Sequence, residues 1–142
     1  MPSLPGLTEQ SAPPRSGSRP LVGLPLAWAA LVLGLTLTPA RQMPVVPPWE
    51  LISFDTAAHA GVFVVLAALL VFSARRQSRW PTLRRHAYLI VLLGCVAFGL
   101  LIELLQMTMN LGRHGEWSDA ISDALGGVIG LGLAYASRRW WQ

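Results

Sequence analysis

Three pairs of polar residues stand near the ends of apolar segments, each at a spacing of three or four residues. The pairs are Asp55 with His59, Glu103 with Gln106, and Asp119 with Asp123. Side chains three or four residues apart are neighbours on a helix, so each pair shares one helical face. Carboxylate, imidazole and amide groups so placed can bind a polar ligand or move a proton as general acid and base.

Four apolar segments carry these pairs, at about residues 21–39, 54–74, 87–107 and 119–137. At about 1.5 Å of rise per residue, even the first segment just spans a hydrocarbon core of about 30 Å. With 53% hydrophobic and 13% charged residues, the chain has about half the charge of an ordinary soluble domain. We therefore predict an all-α membrane protein, a bundle of four transmembrane helices formed by residues 21–142.

Residues 1–20 are rich in Pro, Ser and Gly and have no apolar period, so we predict a disordered cytoplasmic tail. A secretory signal is the alternative interpretation of the first apolar segment. Its apolar run is longer than the usual signal core, and no clear A-x-A cleavage site follows it. The lone Cys95 lies within an apolar segment and is interpreted as a small buried side chain.

The arginines predict the orientation. All eleven basic residues are arginine, and nine of them lie in the tail, the loop between the second and third segments, and the C-terminus. Arg41 and Arg113 stand in the other two connectors. This bias places both termini in the cytoplasm and the polar pairs on the outer side. Arginines at the ends of apolar segments suit membrane lipids as partners and not nucleic acid.

Small residues continue the polar faces into the membrane. Asp119, Asp123, Gly126 and Gly130 follow one stripe of the fourth helix, and the two glycines allow close approach of a neighbouring backbone. On the third helix, Gly99 lies one turn inward of Glu103 and on the same face. We predict that these glycines are packing positions, and that the two stripes pack together and bring Glu103 near Asp123.

Each polar residue also has an interpretation without a ligand. Asp55 and Asp119 precede apolar segments, where an acid caps a helix, and Gln106 can satisfy a neighbouring backbone group. Glu103 is harder to explain, because the helix dipole disfavours an acid near a C-terminus. A charge at mid-membrane costs about 2.5–3.5 kcal/mol, and less near the interface. A salt bridge from Arg113 to Glu103 or to an aspartate of the fourth helix would close the site.

The ordered set of residues resembles the VanZ-like family of small bacterial membrane proteins, over roughly residues 54–137. That family has D-K-x-x-H at the start of one helix and E-x-x-Q near the end of the next. An arginine-containing loop follows, and then D-x-x-x-N-x-x-G-x-x-x-G. The matching residues are Asp55, His59, Glu103, Gln106, Arg113, Asp119, Asp123, Gly126 and Gly130.

Two positions depart from that pattern. Thr56 stands where the family usually has lysine, and Asp123 where it usually has asparagine. Both changes make this site more acidic, which favours a shared proton or a bound cation over an anionic group. The family is named for a protein associated with low-level resistance to teicoplanin. The resemblance therefore implies a bacterial inner-membrane protein with a cell-envelope role, without supplying a reaction or making this protein a resistance determinant.

Three functions stay open at this point. The first is an outer-leaflet pocket that binds a lipid headgroup or a lipid-linked envelope precursor, through the polar pairs and Arg113. The second is an enzyme acting on such a substrate, with Glu103 or His59 as acid or base. The third is a structural or assembly subunit. A divalent metal among the acids and His59 matches no established metal motif, and the sequence specifies neither a cofactor nor an oligomeric state.

Overall fold

A computed structural model describes residues 21–39, 42, 54–109 and 117–140, and within these ranges every regular element is a helix. The elements are α1 (Gly23–Thr36), α2 (Phe54–Arg76), α3 (Pro81–Arg85), α4 (Ala87–Thr108), α5 (Trp117–Ala136) and a 3-10 helix (Arg138–Trp140). The prediction of an all-α chain is confirmed. The predicted tail, residues 1–20, lies outside the described residues.

Helix α1 is shorter than the first apolar segment. It has 14 residues and ends at Thr36, three residues before Pro39. The Thr36 hydroxyl donates to the carbonyl of Val32 (2.9 Å), and the Thr38 hydroxyl donates to the carbonyl of Gly34 (2.9 Å). At about 1.5 Å per residue the helix is about 21 Å long, so α1 alone is shorter than a hydrocarbon core.

The arginine-rich connector after α2 contains structure that the sequence did not predict. Gln77 is buried, and its amide oxygen accepts from the backbone N–H of Trp80 (2.8 Å) while its nitrogen donates to the Trp80 carbonyl (2.8 Å). Pro81 then starts the single-turn helix α3 at a position where a missing N–H costs nothing. A side chain thus fixes this turn.

Helix α2 lies at the centre of the packing. It packs most extensively on α5 and also contacts α1 and α4. Phe63, Leu66 and Val71 of α2 are buried with Cys95 and Ile102 of α4. These apolar residues form the core at mid-length of the helices.

A hydrogen bond joins α1 to α2. The indole nitrogen of Trp28 donates to the Val62 carbonyl of α2 (3.0 Å). A carbonyl within a helix has a second lone pair, so it can accept this bond while keeping its helical partner. The bond fixes where α1 lies along α2.

The outer surface is apolar on every long helix. Examples are Leu24 on α1, Leu93 and Leu100 on α4, and Ile121 and Leu125 on α5, all exposed. Within the described residues, Thr56–Arg76 and Ala87–Thr108 are long and apolar enough to cross a membrane, by length and composition. Soluble monomers rarely expose apolar patches of this extent, so the surface is that of a membrane protein.

Candidate functional site

A buried ion pair or hydrogen bond joins α2 to α5. Nδ1 of His59 lies 3.1 Å from Oδ1 of Asp123, and the two side chains are 3% and 0% exposed. His59 is in the second turn of α2 and Asp123 in the second turn of α5. The second turns of these two helices therefore lie side by side, and each presents a titratable group to the other.

Two more acids complete a group that we call the polar cluster: His59, Glu103, Asp119 and Asp123. Single ligand atoms of His59, Glu103 and Asp119 all lie within 4.8 Å of one another, and the three residues are 2%, 5% and 5% exposed. Glu103 comes from the C-terminal end of α4. Three helices thus bring their polar ends together in one buried volume.

The described arginines lie at the opposite ends of the same helices. They are Arg75, Arg76, Arg79, Arg84, Arg85, Arg138 and Arg139. The polar cluster, in contrast, lies at the N-terminal ends of α2 and α5 and the C-terminal end of α4. One end of the bundle is therefore acidic and buried, and the other is basic and exposed.

Two hydroxyl groups that the sequence reading missed hold the cluster in place. Oγ1 of Thr56 donates to Oδ1 of Asp119 (2.9 Å), and Oγ of Ser122 donates to the backbone carbonyl of Thr56 (2.6 Å). Thr56 lies three residues before His59, and Ser122 three residues after Asp119. This helical spacing is the one signal for them in the sequence, and the family pattern marks Thr56 only as a departure from lysine.

The glycine stripe of α5 lies against α2. A Cβ added at Gly126 would overlap the carbonyl oxygen of Ala60, and one added at Gly130 would overlap that of Val64. The sequence led us to expect α4 as the partner of this stripe, and the structure places α2 there instead. The stripe lets the two backbones touch, which is what brings Asp119 and Asp123 to Thr56 and His59.

Gly99 of α4 faces the carboxylate of Asp123. A Cβ added there would lie 2.8 Å from Oδ2 and 3.0 Å from Cβ of Asp123. The missing side chain therefore leaves the space that the buried carboxylate occupies. Asp123 therefore contacts α2 through His59 and α4 at Gly99, which lies one helical turn before Glu103.

Gln106, paired with Glu103 in the sequence, makes a different contact. Its amide nitrogen donates to the backbone carbonyl of Thr36 (2.9 Å), the last residue of α1, and its side chain is 2% exposed. The last carbonyls of a helix have no partner within it. Gln106 supplies one and joins α4 to the end of α1.

We expect Gln106→Leu to lower the free energy of unfolding by about 1–3 kcal/mol, because the buried Thr36 carbonyl loses its donor. Thermal unfolding in detergent measures the change. Thr108→Val on the same helix is the control, since its exposed hydroxyl bonds only to its own helix. Equal melting temperatures for the two variants would show that the bond to α1 contributes nothing.

Two of the predicted site residues lie partly or wholly outside the described part of the chain. Asp55 is in the first turn of α2, but its side chain is not among the described ones. Arg113 and the rest of residues 110–116 lie outside the described residues. The predicted salt bridge from Arg113 therefore stays a prediction.

The cluster's chemistry follows from its donor set. An imidazole held by a carboxylate is a group that can accept or donate a proton, and Glu103 and Asp119 add oxygen ligands. A mixed set of one nitrogen and two carboxylates also suits a divalent ion. The arrangement can therefore bind a group rich in N–H or O–H donors, hold a cation, or transfer a proton.

Comparison with known proteins identifies a family. A family model described as VanZ/LLP1 matches residues 20–138. No curated protein and no solved structure matches the chain. The matched range covers all five α-helices and every member of the polar cluster.

Proposed function

The chain belongs to the VanZ/LLP1 family, whose model matches residues 20–138, and we propose that it binds a lipid headgroup or lipid-linked envelope precursor at the polar cluster. The resemblance drawn from the sequence is thereby confirmed, and the chain is a membrane protein of the VanZ type.

The proposed topology has four spans, formed by α1, α2, α4 and α5. Helices α2 and α4 are long and apolar enough to cross a bilayer. The 20 residues of α5 bury Asp119 and Asp123 against the bundle and turn Ile121 and Leu125 outward. Arginine at the end remote from the cluster favours cytoplasmic termini and a cluster in the outer leaflet of the bacterial inner membrane.

The observation that carries the proposal is the burial of four polar side chains from three helices in one volume. Ionisable residues inside a membrane are costly, and they are retained where they face a ligand, a wet cavity or each other. Helix caps alone do not explain the cluster, because Glu103 is at a helix C-terminus and Asp123 is beyond the first turn of α5.

The ligand class follows from the charge of the site. Carboxylates accept hydrogen bonds and attract an ammonium group, as in a phosphatidylethanolamine headgroup. A phosphate of the same headgroup needs a cationic donor, and Arg113 of the adjacent connector has the planar fork that matches phosphate oxygens. A zwitterionic headgroup would satisfy both.

Native mass spectrometry of the purified protein tests this proposal. We expect wild type to carry bound lipid, and Asp119→Asn and Arg113→Ala to lose it. Asp119→Asn keeps an oxygen for the Thr56 hydroxyl, so the bundle should stay folded. Arg41→Ala is the matched control, because Arg41 is the other arginine predicted on the outer side.

Loss of folded protein in Asp119→Asn would favour the structural interpretation. Bare wild-type protein, released gently from membranes and still folded, would refute stable headgroup binding.

Enzymatic action on such a substrate is the second candidate, favoured by the His59–Asp123 contact of 3.1 Å. A carboxylate on one imidazole nitrogen orients the other for proton transfer and stabilises the charged ring. A carboxylate oxygen of Glu103 lies within 4.8 Å of a ring nitrogen of His59, so Glu103 would be the partner acid or base. Chemically altered lipid in membranes that contain wild type, but not Glu103→Gln, would support turnover.

A further inference from the structure

We propose that His59, Glu103 and Asp119 bind a divalent transition-metal ion, with Zn²⁺ as the best fit. One ligand atom from each residue lies within 4.8 Å of the other two. Ligand atoms around a tetrahedral ion at bonds of about 2.0–2.2 Å lie roughly 3.3–3.6 Å apart. Side-chain rotations that move these atoms by less than about 1 Å therefore close the site.

Asp123 orients the histidine for this task. Its Oδ1 lies 3.1 Å from Nδ1 of His59, and an ionised carboxylate there holds the proton on Nδ1. Nε2 then carries the lone pair that a metal needs. Metal-binding histidines are typically held by a carboxylate or carbonyl on the other ring nitrogen, and the structure has this second contact in place.

The other oxygen of Asp123 is an independent sign of a positive group. Oδ2 is buried and has no hydrogen-bond partner within the part of the chain that the structure describes. It lies on the α4 side of the carboxylate, against Gly99 and one turn from Glu103. Buried carboxylate oxygens are normally satisfied, so an orphaned oxygen on the residue that holds His59 points to a cation in the cluster.

The donor set selects the class of ion. One imidazole nitrogen and two carboxylate oxygens suit Zn²⁺ or Mn²⁺, and Zn²⁺ binds such sites more tightly. Ca²⁺ takes six to eight oxygen ligands, and Mg²⁺ keeps most of its waters, so neither matches a buried site with an imidazole. The proposed metal site goes beyond the proposed headgroup binding and does not depend on it.

The test uses the full chain in detergent, stripped of lipid and treated with a chelator. We expect folded wild type to take up one equivalent of Zn²⁺, measured by titration calorimetry and by elemental analysis after desalting. Glu103→Gln and Asp119→Asn should each weaken binding at least 10-fold, and Asp123→Asn by about 10–100-fold, the usual loss for a group that orients a ligand.

Glu9→Gln is the control, since it removes one carboxylate ahead of the family-matched range. It should bind as wild type does. Zinc affinity unchanged in Glu103→Gln and Asp119→Asn, or no zinc in folded wild type, would overturn the proposal. If a variant does not fold, the test is the melting temperature of wild type with and without Zn²⁺, because Zn²⁺ bound at this site must raise that temperature. Lipid is absent throughout, so the result does not depend on headgroup binding.

Discussion

Gly126→Ala and Gly130→Ala are each expected to lower the free energy of unfolding by about 1–3 kcal/mol, because the added methyl group overpacks a helix interface. The atoms that it would meet are the backbone carbonyls of Ala60 and Val64. A backbone carbonyl cannot rotate away as a long side chain can, so α5 must move away from α2. That movement would also separate Asp123 from His59.

Gly132→Ala is the matched control for this prediction. It lies on the same helix, and nothing is within 4 Å of an added Cβ. Replacing a helical glycine by alanine favours the helix by about 1 kcal/mol, so this variant should melt at or above the wild-type temperature. Circular dichroism during heating in detergent measures all three. If Gly126→Ala and Gly132→Ala melted together, the close approach of α2 and α5 would be refuted.

The same glycines show how far the sequence could predict the packing. Two small residues four apart mark a helix face that a neighbour approaches closely, and Gly126 and Gly130 do have α2 against them. The pattern carries no information about which helix that neighbour is, because any backbone fits. The choice of α2 over α4 depends on how all the helices pack, and no local motif encodes it.

The sequence predicts which residues form the polar cluster better than it predicts which of them are in contact. Helical spacing and the arginine bias placed His59, Glu103, Asp119 and Asp123 near one end of the chain's apolar segments. The contact between His59 and Asp123 follows from the packing of α2 on α5, which the sequence left open.

The roles of Gln106 and Thr56 were also beyond the sequence. Gln106 bonds to Thr36 only because α1 ends there, three residues before Pro39. Threonine hydroxyls bond back to carbonyls of α1 near its end, but such bonds are common within helices as well, so the sequence does not mark where α1 ends. Thr56 became a contact of Asp119 through the same α2–α5 packing.

Asp123→Ala is expected to cost about 3 kcal/mol, because it leaves buried His59 without the carboxylate and also opens a cavity. Asp123 is fully buried, and its Oδ1 is 3.1 Å from Nδ1 of His59. Asp123→Asn keeps the shape and one acceptor oxygen for an Nδ1–H donor, so it should cost about 1 kcal/mol. Chemical denaturation in mixed micelles compares the two variants.

A double-mutant cycle isolates the contact between the two side chains. His59→Ala, Asp123→Ala and the double variant should give a coupling energy of about 1–3 kcal/mol, the range for residues in direct contact. Each single variant leaves one buried polar side chain without its partner, and the double variant leaves none, so the double variant costs less than the sum of the single ones. Additive costs would mean that the two groups do not stabilise each other. Helix packing and the Thr56 and Ser122 hydroxyls would then hold the cluster together, and its acids would be retained for what they bind.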